Sequence, residues 1–117
     1  MTPEKPVIGV VGPCASGKTT LVAGLRLTNY QVRHIAQEHS YVRDMWKQIS
    51  NPDILIYLDV SFEVSKARSG TSWTKNIFEK QVIRLEHARN HADLYIQTDN
   101  LNPKQVLDQV IKAIKDI

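Results

Sequence analysis

Apolar side chains gather in four short runs along the chain, at residues 7–11, 30–36, 54–58 and 94–96. The third run, Ile-Leu-Ile-Tyr-Leu, is apolar without interruption, which is typical of a strand covered on both faces in a parallel sheet. The run at 30–36 alternates more between apolar and polar positions. Each run is rich in residues that favour extended backbone. The pattern therefore predicts four β-strands.

Between these strands the apolar positions recur at helical spacing. Helices are predicted near residues 18–26, 40–52, 62–68, 77–92 and 103–117. Ser40 is a suitable N-cap for the second of them, and Pro52 ends it. Asn102 followed by Pro103 is a strong start for the last, with a capping side chain and then proline in the first turn.

Strands and helices alternate from one end of the chain to the other. This order favours right-handed βαβ crossovers and a parallel sheet with helices on both faces. We expect a three-layer α/β/α fold with a four-stranded sheet in the order 2-1-3-4. A chain of 117 residues fits one domain, so residues 1–117 are interpreted as a single unit.

Composition narrows the functional classes. Apolar residues make up 42% of the chain and the net charge is +3, which does not favour a nucleic-acid partner. No apolar run approaches the ~20 residues that span a bilayer, and the N-terminus lacks a signal-like segment. The one cysteine, Cys14, cannot form an intrachain disulfide. We expect a soluble, cytoplasmic protein without a membrane partner.

The strongest chemical signal is the pattern G-x-x-x-x-G-K-[S/T], which follows the first predicted strand and precedes the first predicted helix. In such a P-loop, successive backbone N–H groups and the helix N-terminus cradle phosphate oxygens. Lysine reaches the terminal phosphates, and the hydroxyl after it binds Mg²⁺. The predicted nucleotide-binding residues are Gly12, Pro13, Cys14, Ala15, Ser16, Gly17, Lys18, Thr19 and Thr20. ATP and Mg²⁺ are the predicted cofactors.

Besides Thr19, an acidic side chain is expected to help hold the magnesium. Ligands of open α/β sheets bind beyond the carboxyl ends of the strands. Glu38 follows the second strand and Asp59 ends the third, so both are candidates, with Glu38 favoured because its strand lies beside the P-loop strand. Asp53 precedes its strand and is expected at the opposite edge. Asp59 could alternatively cap the helix that follows.

The chain resembles the P-loop kinases of small molecules, in the nucleoside and nucleotide kinase branch. The resemblance rests on the phosphate loop at 12–20, on the Asn-Pro-Asp-Ile-Leu-Ile-Tyr-Leu-Asp-Val strand at 51–60, and on Thr-Asp-Asn-Leu-Asn-Pro at 98–103. It implies ATP-dependent phosphoryl transfer to a small-molecule acceptor, with Lys18, Glu38 and Arg68 around the phosphates. It also implies an adenine site near Arg68 and the Asp99-Asn100-Leu101 loop, with Asn100 as a binding residue.

The chain departs from this family in three ways. The inserted acceptor-binding segment between the second and third strands is missing, and Gln37-Glu38 stands where Asp-Arg is usual. A lid can extend no further than residues 68–75. We therefore keep a second hypothesis, a nucleotide-binding module or slow NTPase that acts through a protein partner or a homo-oligomer. The GTPase patterns Asp-x-x-Gly and Asn-Lys-x-Asp are absent.

Several other side chains are interpreted as structural. His87 and His91 have the spacing of a metal-binding pair but belong to a polar, solvated helix face. Cys14 is taken as a loop position without chemistry, and His39 as part of a turn. Tyr41, Met45 and Trp46 form an aromatic stripe that we assign to the core, with a substrate or partner groove as the alternative.

Overall fold

The computed structural model describes residues 6–70 and 73–117. The strands are β1 (Val7–Val11), β2 (Gln31–His34), β3 (Ile54–Asp59) and β4 (Leu94–Gln97). The helices are α1 (Lys18–Leu27), α2 (Phe62–Ser69), α3 (Lys75–His91) and α4 (Pro103–Lys115). Between β2 and β3 lie a 3₁₀ turn at Gln37–His39 and a π-helical turn at Trp46–Ser50.

The sheet has four parallel strands in the order β2-β1-β3-β4, as the sequence predicts. Ile8 of β1 lies between Val32 of β2 and Ile54 of β3, which fixes the register at the centre of the sheet. Because every strand runs the same way, all carboxyl ends meet at one edge. The phosphate loop leaves β1 at that edge.

Helices cover both faces of the sheet. On one face, side chains of α1 and α4 pack on alternate residues of the central strands; the buried members include Ile8, Val10, Leu21, Leu25, Ile56, Val106 and Val110. On the other face, α3 and the π-helical turn pack on the remaining positions; the buried members are Val11, Ile35, Trp46, Leu55, Tyr57, Leu85 and Ala88. This arrangement accounts for the uninterrupted apolar run of β3.

The helix starts follow their capping residues. Asn102 accepts from the backbone N–H of Gln105, whose side chain in turn accepts from the N–H of Asn102, so α4 begins with a complete capping box. Ser61 caps α2 and Thr74 caps α3. The predicted start of the last helix at Asn102-Pro103 is confirmed.

The prediction of a helix between Ser40 and Pro52 is wrong over most of that segment. The hydroxyl of Ser40 accepts from the N–H of Val42, so it closes a local turn instead of capping a helix. The side chain of Gln37 then bonds the carbonyl of Val42 and the N–H of Trp46. These bonds replace a helical backbone ladder, and the segment is regular only at Trp46–Ser50.

The aromatic stripe of this segment is correspondingly split. Trp46 is buried and Met45 packs beside it, as predicted for core residues. Tyr41 is 89% exposed, so its assignment to the core is wrong. Within residues 6–70 and 73–117, no helix combines the length and the apolar character that crossing a membrane requires.

Candidate nucleotide-binding site

Two glycines shape the loop between β1 and α1. A Cβ at Gly12 would lie 2.3 Å from the carbonyl oxygen of Leu58, so the loop can pass over β3 only without a side chain at this position. Gly17 has φ +103° directly before α1, in the left-handed region that favours glycine. The loop therefore curls back over the sheet edge and delivers the first turn of α1 with its N–H groups facing outward.

A cavity of about 500 Å³ opens above this loop. Its lining residues are Cys14, Ala15, Ser16, Gly17, Lys18, Thr19, Thr20, Leu21, His34, Glu38, Arg68, Thr98, Leu101, Pro103 and Val106. The predicted residues from Cys14 to Thr20, together with Glu38 and Arg68, thus share one cavity at the carboxyl edge of the sheet. Gly12 and Pro13 lie beneath it as the base of the loop.

The ammonium group of Lys18 is held inside the loop. Its Nζ donates to the carbonyl oxygens of Gly12 at 2.6 Å and Pro13 at 3.2 Å, and lies 2.5 Å from Oε2 of Glu38. Both side chains are buried. Oε1 of Glu38 is also buried and has no hydrogen-bond partner among the described residues. One acceptor oxygen at the cavity is therefore available to a ligand.

Glu38 reaches this position through the pairing of β2 with β1. The N–H of Ile35 donates to the carbonyl of Val10 at 3.1 Å and extends the pairing beyond β2 itself. The chain then turns in the 3₁₀ segment, and Arg84 of α3 donates to the carbonyl of Glu38 at 3.3 Å. The carboxylate is thereby fixed over the edge where the phosphate loop lies.

The two other acidic candidates lie elsewhere. Asp53 exchanges two 2.8 Å hydrogen bonds with the backbone of Val7, at the amino end of β1 and so at the opposite edge, as expected. Asp59 ends β3, accepts from the N–H of Val60 and from the hydroxyl of Tyr95, and is not part of the cavity lining. Burial and this hydrogen bond raise the pKa of Tyr95 to about 12. Ser61, not Asp59, caps α2.

Arg68 joins the phosphate loop to the end of β4. Its guanidinium donates to the carbonyl of Ala15 at 2.9 Å and to the carbonyl of Thr98 at 3.0 Å. Asn100 is exposed and does not line the cavity, whereas its neighbour Leu101 does. The loop after β4 therefore reaches the cavity through Thr98 and Leu101. Thr71 and Ser72 of the expected lid lie outside the described residues.

Side chains that the sequence analysis did not single out brace the loop. Gln81 accepts from the N–H of Cys14 at 3.0 Å, Ser65 donates to the carbonyl of Cys14 at 3.0 Å, and the hydroxyl of Thr98 lies 3.2 Å from the carbonyl of Ser16. The sequence could have indicated this role for Gln81, because Gln81 lies on the same helix face as the apolar residue Leu85. A polar residue at such a position needs a buried partner.

His34 is a further cavity residue that the sequence analysis missed. It ends β2 and lines the cavity. Its pKa is lowered by burial and then by the charge of Lys18. In the sequence, only the position of His34 could have indicated this role. It lies at the carboxyl end of a strand beside the P-loop strand, where ligands of such sheets bind.

The parallel sheet in this order, flanked by helices and carrying a glycine-rich loop between β1 and α1, is an α/β fold consistent with a P-loop NTPase. No family model matches the chain. Over 79 residues the chain is 37% identical to a probable thymidylate kinase of Methanococcus aeolicus. The match covers 56% of this chain and 40% of that protein, so it spans less than half of this relative. The similarity supports a nucleotide-binding, kinase-like function.

Proposed function

We propose that the chain binds Mg-ATP at the cavity above residues 12–20 and acts as a small-molecule phosphotransferase of the nucleoside and nucleotide kinase type. The observation that carries the proposal is the meeting of Lys18 with Glu38 under the phosphate loop. A buried lysine there is held by carbonyl oxygens and one carboxylate oxygen, which phosphate oxygens can replace.

The phosphates would occupy the mouth of the loop. N–H groups at the start of α1 offer donors and the positive end of the helix dipole. Lys18 would turn from the carbonyls of Gly12 and Pro13 toward the β- and γ-phosphates. Arg68 already spans the loop from Ala15 to Thr98, and so would bring a second cation to the same charges.

Magnesium fits the donors at this edge. Thr19 lines the cavity, and Oε1 of Glu38, which has no hydrogen-bond partner within residues 6–70 and 73–117, is a carboxylate oxygen, the donor type that Mg²⁺ prefers. When bound, the ion would neutralise part of the phosphate charge. The residues around the loop would hold the triphosphate in one orientation, so that an acceptor hydroxyl can attack the γ-phosphorus while the bond to ADP breaks.

The apolar part of the cavity would receive the nucleoside. Leu101, Pro103 and Val106 are among its lining residues. Asn100, which the resemblance assigns to the base, is exposed next to Leu101. We propose that the base contacts the backbone and Leu101 of this loop more than the amide of Asn100.

A second candidate is a nucleotide-binding module or slow NTPase that works through a partner. One observation favours it: between β2 and β3 the chain forms only a 3₁₀ turn and a π-helical turn, within the described residues. No inserted acceptor-binding subdomain lies there. A phosphoryl acceptor would then be held by the short segment from His39 to Ser50 or by groups outside the described residues.

Two measurements test these proposals. Isothermal titration should detect Mg-ATP binding, and Lys18→Ala should abolish it together with the ATP-induced rise in melting temperature. Wild-type affinity in Lys18→Ala would reject the site. ATP turnover is then measured with a panel of nucleosides, nucleotides and small hydroxylated metabolites. A many-fold rise with one of them indicates a kinase, and slow turnover independent of any acceptor indicates a module.

A further inference from the structure

A second set of ligands lies on the flank of the phosphate loop. Sγ of Cys14, one carboxylate oxygen of Glu38 and a ring nitrogen of His39 all lie within 4.8 Å of one another. Sγ of Cys14 is 3.7 Å from Nε2 of His39. Two ligands bound to one zinc ion at about 2.3 and 2.0 Å in tetrahedral geometry stand roughly 3.5 Å apart, so this pair is already close to bridging distance.

The carboxylate gives an independent sign of a missing ligand. Glu38 is 4% exposed, and its Oε1 is buried with no hydrogen-bond partner among the described residues. Its Oε2 is occupied by Lys18. A buried carboxylate oxygen without a partner costs free energy, and a cation relieves that cost.

The surroundings also suit a metal-bound sulfur. Nε2 of Gln81 donates to Sγ of Cys14 at 3.2 Å, while Oε1 of the same amide fixes the backbone of Cys14. Such donors orient metal ligands and stabilise thiolate charge. A thiolate and a carboxylate offset the charge of a divalent cation, and the ammonium of Lys18, 2.5 Å from Oε2 of Glu38, remains beside them as one positive charge.

We propose that Cys14, Glu38 and His39 form a three-ligand site for a thiophilic divalent cation of the zinc class, with its fourth position open to the cavity. Sulfur and imidazole nitrogen select Zn²⁺ over Mg²⁺, which takes oxygen ligands. The site exists in the nucleotide-free protein. If the proposed function holds, zinc and Mg-ATP exclude each other, since both use the carboxylate of Glu38.

The test uses Co²⁺ as a spectroscopic substitute for Zn²⁺. Co²⁺ is titrated into the reduced, nucleotide-free full chain with excess Mg²⁺ present. We expect a sulfur-to-cobalt charge-transfer band at one equivalent, which Zn²⁺ then removes. Because Cys14 is the one cysteine of the chain, this band reports its sulfur directly.

Three variants locate the site. Cys14→Ser should eliminate the charge-transfer band, and His39→Gln should weaken Co²⁺ binding at least about 10-fold. His39 is exposed, so this variant should keep its fold, which circular dichroism checks. His91→Gln, on the distant α3 surface, is the matched control and should leave affinity unchanged. A missing band at saturating Co²⁺, or wild-type affinity in His39→Gln, would overturn the site.

A final titration adds a non-hydrolysable ATP analogue with Mg²⁺ to the Co²⁺-loaded protein. Loss of the charge-transfer band supports mutual exclusion, and a band that persists while the analogue binds overturns it. If the analogue does not bind at all, the proposed function fails. The Co²⁺ titration and the variants still decide the metal site in that case.

Discussion

The ammonium of Lys18 and the carboxylate of Glu38 stand 2.5 Å apart, and both side chains are buried, with 6% and 5% of their surface exposed. One group belongs to the phosphate loop and the other to the turn after β2, twenty residues on. Their contact couples the stability of the nucleotide-free protein to the same groups that the proposed function uses. Removing either partner leaves a buried charge without compensation.

The first prediction concerns this ion pair. Lys18→Met should lower the free energy of unfolding by about 3–5 kcal/mol, because Glu38 remains buried alone. The double variant Lys18→Met with Glu38→Gln should recover a large part of that loss, since neither charge remains. Urea denaturation of the two single variants and the double variant completes the cycle. Additive losses would show that the two groups do not interact energetically.

The second prediction concerns magnesium. Glu38→Gln should raise the Mg²⁺ concentration needed for ATP binding about 10-fold or more, in line with the 1.5–3 kcal/mol typical of a charged partner, and leave Mg-free binding little changed. Asp53→Asn is the control, because Asp53 bonds the backbone of Val7 at the opposite edge. It should cost about 1 kcal/mol of stability and leave the magnesium dependence unaltered.

A magnesium titration at fixed ATP concentration measures the magnesium dependence of ATP binding in Glu38→Gln and in Asp53→Asn. An unchanged magnesium dependence in Glu38→Gln would move the metal role to Asp59. In that case Asp59→Asn should show the effect instead. Asp59 would then have to turn from the hydroxyl of Tyr95, its partner in the nucleotide-free protein.

The third prediction compares two glycines of the loop. Gly12→Ala places a Cβ against the backbone carbonyl of Leu58, and Gly17→Ala meets no atom within 4 Å but retains its positive φ. Gly17→Ala should cost about 1–2 kcal/mol from backbone strain. Gly12→Ala should cost about 1–3 kcal/mol more, because the clash is with backbone. Equal losses in chemical denaturation without nucleotide would contradict this packing.

The fourth prediction concerns Arg68. Replacement by Lys keeps the charge but cannot span from the carbonyl of Ala15 to that of Thr98. Arg68→Lys should therefore weaken ATP binding several-fold in isothermal titration, about 1 kcal/mol for the lost hydrogen bonds. Arg26→Lys is the control, since Arg26 bonds the carbonyl of Val32 and does not line the cavity. Equal affinities in the two variants would remove Arg68 from the site.

The fifth prediction is a pH dependence at His87. Desolvation, followed by the nearby His91 and Arg43, lowers the pKa of His87, and its Nδ1 accepts from the indole N–H of Trp46 at 3.1 Å. A lowered pKa means that the unfolded chain takes up the proton first. The contribution is therefore present above the unfolded pKa near 6.5 and is lost as pH falls through the lower folded pKa.

Urea midpoints at pH 7.5 and at pH 5.5 test this dependence. The wild type should lose stability at the lower pH, and His87→Gln should lose less, because glutamine can accept from Trp46 without titrating. An unchanged difference between the two pH values in the variant would assign the dependence elsewhere, with His34, whose pKa is also lowered, as the next group to replace.

The segment between β2 and β3 shows why a prediction from apolar spacing failed. Tyr41, Met45 and Trp46 have helical spacing, yet the segment turns because the side chain of Gln37 bonds two of its backbone groups. Gln37 is fully buried, and its amide also donates to the carbonyl of Arg84 in α3 at 3.3 Å. A spacing rule contains no term for such a tertiary bond.

The sequence by itself determined the parallel sheet, its order 2-1-3-4 and the position of the glycine-rich loop between β1 and α1. Strand runs, helix periodicity and the Gly-x-x-x-x-Gly-Lys-Thr pattern are local properties, and chain connectivity with right-handed crossovers leaves few topologies. Only the tertiary structure decided that Glu38 pairs with Lys18, that Asp59 turns to Tyr95, and that Cys14 lies beside His39. Those contacts join residues from different elements, and their distances depend on how turns and side chains pack, which the local pattern does not encode.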